Sequence, residues 1–158
     1  MTIQIGDSLP SATLQEGNPG NTVDTAEALG SGKALVFAVP GAFTPGCSQT
    51  HLPGYVNDFD AIKAKGVDTI ACISVNDAFV MQAWGEAHEV GDKIRMLADP
   101  LGEFTKAVGL DVDAAVLGGL RSKRYAMVVE DGTVTQLEVE PDGFGLTCSL
   151  SESIVDKL

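Results

Sequence analysis

Apolar residues fall along this chain in two rhythms. Three stretches are nearly continuous: "ALVFAV" at 34–39, "VDTIACISV" at 67–75 and "IRMLAD" at 94–99. Such runs predict strands covered on both faces, because a strand with one wet face alternates apolar and polar positions. Between the first two runs, Leu52, Tyr55, Val56, Phe59 and Ile62 recur at helical spacing. They predict a helix that begins near Thr44 to Cys47 and stops at Gly66, with Pro53 placed to kink or split it. Residues 76–88 predict a second helix with Asn76 or Asp77 as its cap, and 101–110 a short third one. "RYAMVVEDGTVTQLEVE", 124–140, predicts two strands joined at Asp131-Gly132, a strong two-residue turn signal. A last helix is expected over 150–158, with Ser151 as a candidate cap.

Strands alternating with helices imply a parallel sheet, and the closing hairpin adds antiparallel strands. The predicted class is therefore α/β, a mixed central β-sheet flanked by helices. No repeat or low-complexity linker interrupts the chain, so one domain over 1–158 is expected.

Composition narrows the function. Ten basic residues against 22 acidic ones leave a net charge of −12. Such a surface repels phosphate backbones, so no nucleic acid is expected as a partner. No stretch approaches the roughly 20 apolar residues of a bilayer span, and no membrane association is expected. The first ten residues carry neither a basic region nor an apolar signal core, so a cytoplasmic location with reduced thiols is expected.

Three cysteines, Cys47, Cys72 and Cys148, are present with two histidines, His51 and His88. The odd number does not read as a secreted disulfide framework, and without a C-x-x-C pair no metal site or thioredoxin-type dithiol is expected. Cys72, between Ala71 and Ile73 in a predicted strand, reads as a small buried hydrophobe. Cys47 does not. It ends "PGAFTPGC", 40–47, where a buried strand hands over to a helix and the neighbours are turn formers. A thiol reacts as thiolate, and the first turn of a helix favours an anion. Ligands in such sheets gather beyond the carboxyl ends of parallel strands. Pro45 suits the first helical turn, Gly46 leaves the approach uncrowded, and the Thr44 hydroxyl is placed either to cap the helix or to bond a substrate oxygen beside the sulfur.

"PGAFTPGCSQTHLPGY" resembles the active-site segment of the peroxiredoxins, whose signature Pro-x-x-x-Thr-x-x-Cys falls here on Pro40, Thr44 and Cys47. "IACISVNDAFVMQAW", the "RYAMVVEDGTV" hairpin and "VEPDGFGLTCSL" resemble the type-five subgroup, which overlaps the plant type-two group. The resemblance spans essentially the whole chain. It implies a thioredoxin-like fold and a thiol peroxidase acting on hydrogen peroxide and organic hydroperoxides in antioxidant defence. It assigns Cys47 as the peroxidatic cysteine, Thr44 as the contact to peroxide and sulfur, Pro40 as the shield of the site, and the backbone of Gly46 and Cys47 as donors to the substrate. It also selects Arg124 among Arg121, Lys123 and Arg124, the other two being expected to be solvated. No cofactor is implied.

The same resemblance implies that a second thiol condenses with the Cys47 sulfenic acid. Cys148, in a glycine-rich loop, matches the resolving cysteine of the animal-like type-five proteins, and Cys72 matches the second cysteine of the plant-like ones. A glycine-rich loop moves more easily than a central strand, which favours Cys148; direct resolution by glutathione or glutaredoxin is the third route. Thioredoxin or glutaredoxin/glutathione is the implied reductant and a homodimer the implied assembly. Two rival functions remain at this level: a hydrolase pairing Cys47 with His51, one helical turn on, and a redox sensor without turnover.

Overall fold

The computed structural model describes residues 1–158. Its centre is a seven-stranded sheet in the order β2-β1-β5-β4-β3-β8-β9. The three continuous apolar runs supply β3 (Lys33–Ala38), β4 (Thr69–Ser74) and β5 (Arg95–Ala98), which lie parallel. The predicted hairpin supplies β8 (Tyr125–Glu130) and β9 (Thr133–Val139). β8 runs antiparallel to β3, so the sheet is mixed, as the alternation implied. Asp131 (φ 49°) and Gly132 (φ 84°) both take left-handed backbone, the signature of a two-residue primed turn.

Both faces of the central strands are buried, and alternation sorts their side chains. Leu35, Phe37, Ile70, Cys72, Ala126 and Val128 point to one core, and Val36, Ala38, Ala71, Ile73, Tyr125 and Met127 to the other. The first core lies beneath α2 (Leu52–Asn57), α3 (Phe59–Ala64), α4 (Ala78–Ala87) and α6 (Ser151–Ile154), which contribute Leu52, Tyr55, Ile62, Met81, Trp84 and Ile154. The second is closed by α1 (Thr25–Leu29) and α5 (Glu103–Ala107), through Leu29 and Phe104. No helix is long and apolar enough to cross a membrane.

Several elements depart from the sequence-based expectations. The N-terminal hairpin of β1 (Thr13–Glu16) and β2 (Asn18–Asp24) was not predicted, because β2 is mostly exposed at the sheet edge and has no apolar run. A separate two-stranded sheet, β6 (Asp111–Ala114) with β7 (Gly119–Ser122), has no apolar run either and was likewise not expected. The helix after β3 passes through Pro53 unbroken and divides instead at Asp58. Cys47–His51 form a wide π-helical turn in which the Leu52 N–H donates to the Cys47 carbonyl five residues back. The π-turn lies directly before Pro53, so the widened turn accommodates the proline's missing N–H without ending the helix. The final helix is short, and its cap position is Leu150. Ser151 instead gives its hydroxyl to Asp58 Oδ2 at 2.7 Å, tying the C-terminus to the break between α2 and α3.

Candidate active site

The site forms where β3 ends. Val39 N–H still bonds Ile73 O, and Asn76 Oδ1 then receives both the Ser74 hydroxyl (2.6 Å) and the Ala42 N–H (3.0 Å). These bonds pin the turn that carries Pro40, itself buried, to the end of β4. Phe43 is held at φ 62°, an uncommon conformation for a bulky residue that reverses the chain sharply before the helix. The helix starts at Pro45, as the sequence implied. Thr44 does not cap it with its side chain. Its hydroxyl donates to Gly41 O at 2.7 Å, which leaves the oxygen lone pairs as acceptors, and its carbonyl receives the Ser48 N–H.

Cys47 is fully buried, and Arg124 reaches it from the start of β8. Arg124 Nη1 stands 3.3 Å from Cys47 Sγ and 3.0 Å from His51 Nδ1, and Nε donates to Phe144 O at 3.3 Å. Nη2 has no hydrogen-bond partner in the protein. It lies 3.2 Å from the point a Cβ would occupy on Gly46, beside the Leu146 side chain, also at 3.2 Å. Glycine at 46 thus lets the guanidinium approach the start of the helix, where a Cβ would crowd the unpaired Nη2.

His51 Nε2 bonds the Ser149 carbonyl at 3.2 Å, an acceptor that also receives the Tyr55 hydroxyl at 2.7 Å. The ring therefore donates from Nε2 and accepts from Arg124 at Nδ1, the tautomer its partners require. Burial, and then the Arg124 charge, lower its pKa to about 3, so it is neutral at physiological pH. Phe37 braces both rings, stacked on Tyr55 at 3.9 Å and tilted to His51 at 5.0 Å. His51 is thus an orienting partner of the guanidinium. Both of its ring nitrogens are engaged, which removes the base a Cys–His hydrolase needs.

The neutral His51 has a thermodynamic consequence. An unfolded histidine takes up a proton near pH 6.5, and the folded one does so only near 3. Its contribution to stability is whole above 6.5 and is lost as pH falls through the window down to 3. Between pH 7 and pH 5 urea unfolding should therefore register a loss of about 2 kcal/mol. A His51→Asn variant should show no such step, and a wild-type profile as flat as the variant's would contradict a buried neutral ring.

The remaining candidates separate clearly. Cys72 lies in β4 opposite Phe37, fully enclosed, and burial pushes its thiol well above the ordinary value. Cys148 is half-buried in the loop after β9, and all three cysteines are unpaired. Arg121 is not the freely solvated residue expected. It is half-buried, its Nη2 donating to Leu117 O at 2.7 Å and its Nη1 to Pro40 O at 3.4 Å, and so it supports the proline turn from outside. The sequence reading also missed Glu140, whose buried carboxylate gathers the Cys148 loop. Its only sequence signal was its place beside Pro141, Asp142 and Gly143.

Residues 4–154 match the Redoxin family. The chain is 47% identical to Peroxiredoxin-2E-2, chloroplastic, of Oryza sativa subsp. japonica, over 97% of this chain and 72% of that protein. The chain belongs to the peroxiredoxin family. Reduced Prx3 from Vibrio vulnificus, solved in complex with H2O2, superimposes with a TM-score of 0.92 at 50% identity, over 99% of both chains. Peroxiredoxin 5 from Alvinella pompejana gives a TM-score of 0.85 at 41% identity, again over 99% of both chains. The fold of this peroxiredoxin is accordingly thioredoxin-like, and its activity is that of a thiol peroxidase, an antioxidant oxidoreductase that acts on peroxide and is recycled by thioredoxin-type reductants.

Proposed function

We propose that Cys47 is the peroxidatic thiol of this peroxiredoxin and that Arg124 holds both its sulfur and the incoming hydroperoxide. The observation that carries this reading is the guanidinium 3.3 Å from Sγ with a second nitrogen unpaired beside Gly46. An always-charged donor there stabilises a thiolate and the negative charge that moves onto the departing oxygen. The Vibrio relative binds H2O2 in its reduced form; by that similarity hydrogen peroxide enters here between Sγ, Arg124 Nη2, the Thr44 hydroxyl and the backbone N–H groups of Gly46 and Cys47. Thiolate attack breaks the O–O bond, leaving Cys47 as sulfenic acid and releasing, after protonation, water or an alcohol. Pro40 keeps bulk water from the sulfur.

Cys148 is the resolving thiol in this reading: its thiol condenses with the sulfenic acid to a disulfide and water. Cys72 is the less fitting partner, being locked into β4 between two parallel neighbours. That choice places the protein with the type-five subgroup, although the rice relative belongs by name to the plant series. Thioredoxin, or glutaredoxin with glutathione, then reduces the disulfide by exchange. The active unit is proposed to be a homodimer in the cytoplasm. Exposed Phe43 and Phe79, at the mouth of the site and at the start of α4, support a partner covering that edge.

The test is the mass of the reduced protein after one equivalent of hydrogen peroxide, with remaining thiols blocked. Wild type should lose two thiols to a 47–148 disulfide, and Cys148→Ser should stop at a species without an intramolecular disulfide. A disulfide that survives in Cys148→Ser would reassign resolution to Cys72.

A further inference from the structure

We propose that Glu140 is a positioning residue for the resolving step: its carboxylate clasps the Cys148 turn and sets how fast that turn opens to deliver Cys148 to oxidised Cys47. The inference rests on Cys148 as the resolving thiol.

Glu140 follows the last residue of β9, and its position is fixed before its side chain acts. Its N–H bonds Arg124 O, and its carbonyl accepts from Gly143 N–H, whose own carbonyl accepts from Arg124 N–H. From that anchor the carboxylate reaches the two residues that flank Cys148. Oε2 accepts from the Thr147 N–H (3.0 Å), the Ser149 N–H (2.8 Å) and the Ser149 hydroxyl (2.6 Å), and Oε1 from the Thr147 hydroxyl (2.5 Å). Cys148 Sγ itself lies 3.6 Å from Oε2 and 3.5 Å from the Val139 carbonyl. The residue is 1% exposed. Four donors on one buried carboxylate are charge-assisted bonds, stronger than their neutral counterparts. Burial raises the Glu140 pKa, but the bonds from Ser149 and Thr147 outweigh it and hold it at about 2, so the clasp is fully charged in the working range.

The clasp restrains Cys148 in two ways. It fixes the turn, and it sets a negative charge beside the sulfur. Burial, followed by the Glu140 charge, raises the Cys148 thiol above its ordinary value, which disfavours the thiolate while the turn is closed. Opening the turn relieves both restraints together. The step it serves is balanced: the Cys148 thiol loses its proton and bonds to Cys47 Sγ, and the sulfenic hydroxyl leaves with that proton as water. A carboxylate with so low a pKa is a poor proton acceptor, so Glu140 acts through the turn and not as a general base.

The experiment separates two phases after mixing reduced protein with hydrogen peroxide: a peroxide-dependent phase for oxidation of Cys47 and a peroxide-independent phase for disulfide formation. Glu140→Gln keeps the shape and removes the charge. It should speed the second phase about tenfold, equivalent to about 1.4 kcal/mol of barrier, and leave the first unchanged. Ser149→Ala, which removes one donor without touching the carboxylate, should speed it about threefold, a difference of RT ln 3 in barrier. A second phase that is slower in both variants, or unchanged in both with alkylation of Cys148 unchanged as well, overturns the clasp. Iodoacetamide alkylation of Cys148, measured in a Cys47→Ser/Cys72→Ser background, reads opening without any resolving chemistry. Faster alkylation in Glu140→Gln with an unchanged disulfide phase would overturn the assignment of Cys148 as resolving thiol; unchanged alkylation would overturn the clasp itself.

Discussion

Replacement of Cys47 by serine should lower peroxide reduction by about 10⁴-fold or more, the scale on which loss of a covalent nucleophile is felt. A serine hydroxyl remains protonated at neutral pH, and oxygen is a far poorer nucleophile than sulfur toward a peroxide O–O bond. The fold should survive. The side chain is buried in a π-helical turn held by backbone bonds, and serine is close in size. Its hydroxyl still finds Arg124 Nη1 as a donor, so no buried polar atom is stranded. Coupled turnover with thioredoxin, checked beside a circular dichroism melt, measures both halves of the expectation. Residual activity within tenfold of wild type would move the chemistry to another thiol.

Arg124→Ala should cost about 10²–10³-fold in kcat/KM, the range seen when one fixed donor to a developing oxyanion is removed. Two losses combine. Sγ loses its charged neighbour, and the substrate loses the unpaired Nη2 donors beside Gly46. Arg124→Lys should recover only part of the activity. A single ammonium cannot face Sγ, His51 Nδ1 and Phe144 O while also presenting a free donor to the substrate. Steady-state kinetics over a range of hydroperoxide concentrations gives the comparison. A lysine variant with wild-type kcat/KM would show that charge alone suffices and that the fork geometry is incidental.

What could be read from the sequence divides along physical lines. The buried strands β3, β4, β5 and β8 announced themselves because a strand covered on both faces must be apolar throughout. The helix start at Pro45 was legible because proline, glycine and threonine have few other uses there. β2 and the β6–β7 pair carried no such signal: β2 is mostly exposed, and β6 and β7 are short strands without an apolar run. Cys47 and Thr44 stood out on local chemistry. Arg124 did not, since nothing in "RSKR" separates one basic residue from the next without the fold or a family resemblance. Glu140 was invisible for a related reason. Its donors lie seven and nine residues downstream, in a loop whose return path no periodicity encodes.

The most direct test of the account traps the first oxidation product. Reduced protein is mixed with one equivalent of hydrogen peroxide in the presence of dimedone, which captures sulfenic acids, and the peptides are mapped by mass. Fluorescence of Trp84, the only tryptophan, follows the same mixing, because its Nε1–H donates to the Ser48 hydroxyl beside Cys47. The account predicts a dimedone adduct on Cys47 alone, in competition with the 47–148 disulfide and after the fast fluorescence change that reports oxidation of Cys47. An adduct confined to Cys72 or Cys148, with Cys47 still a free thiol, would contradict it.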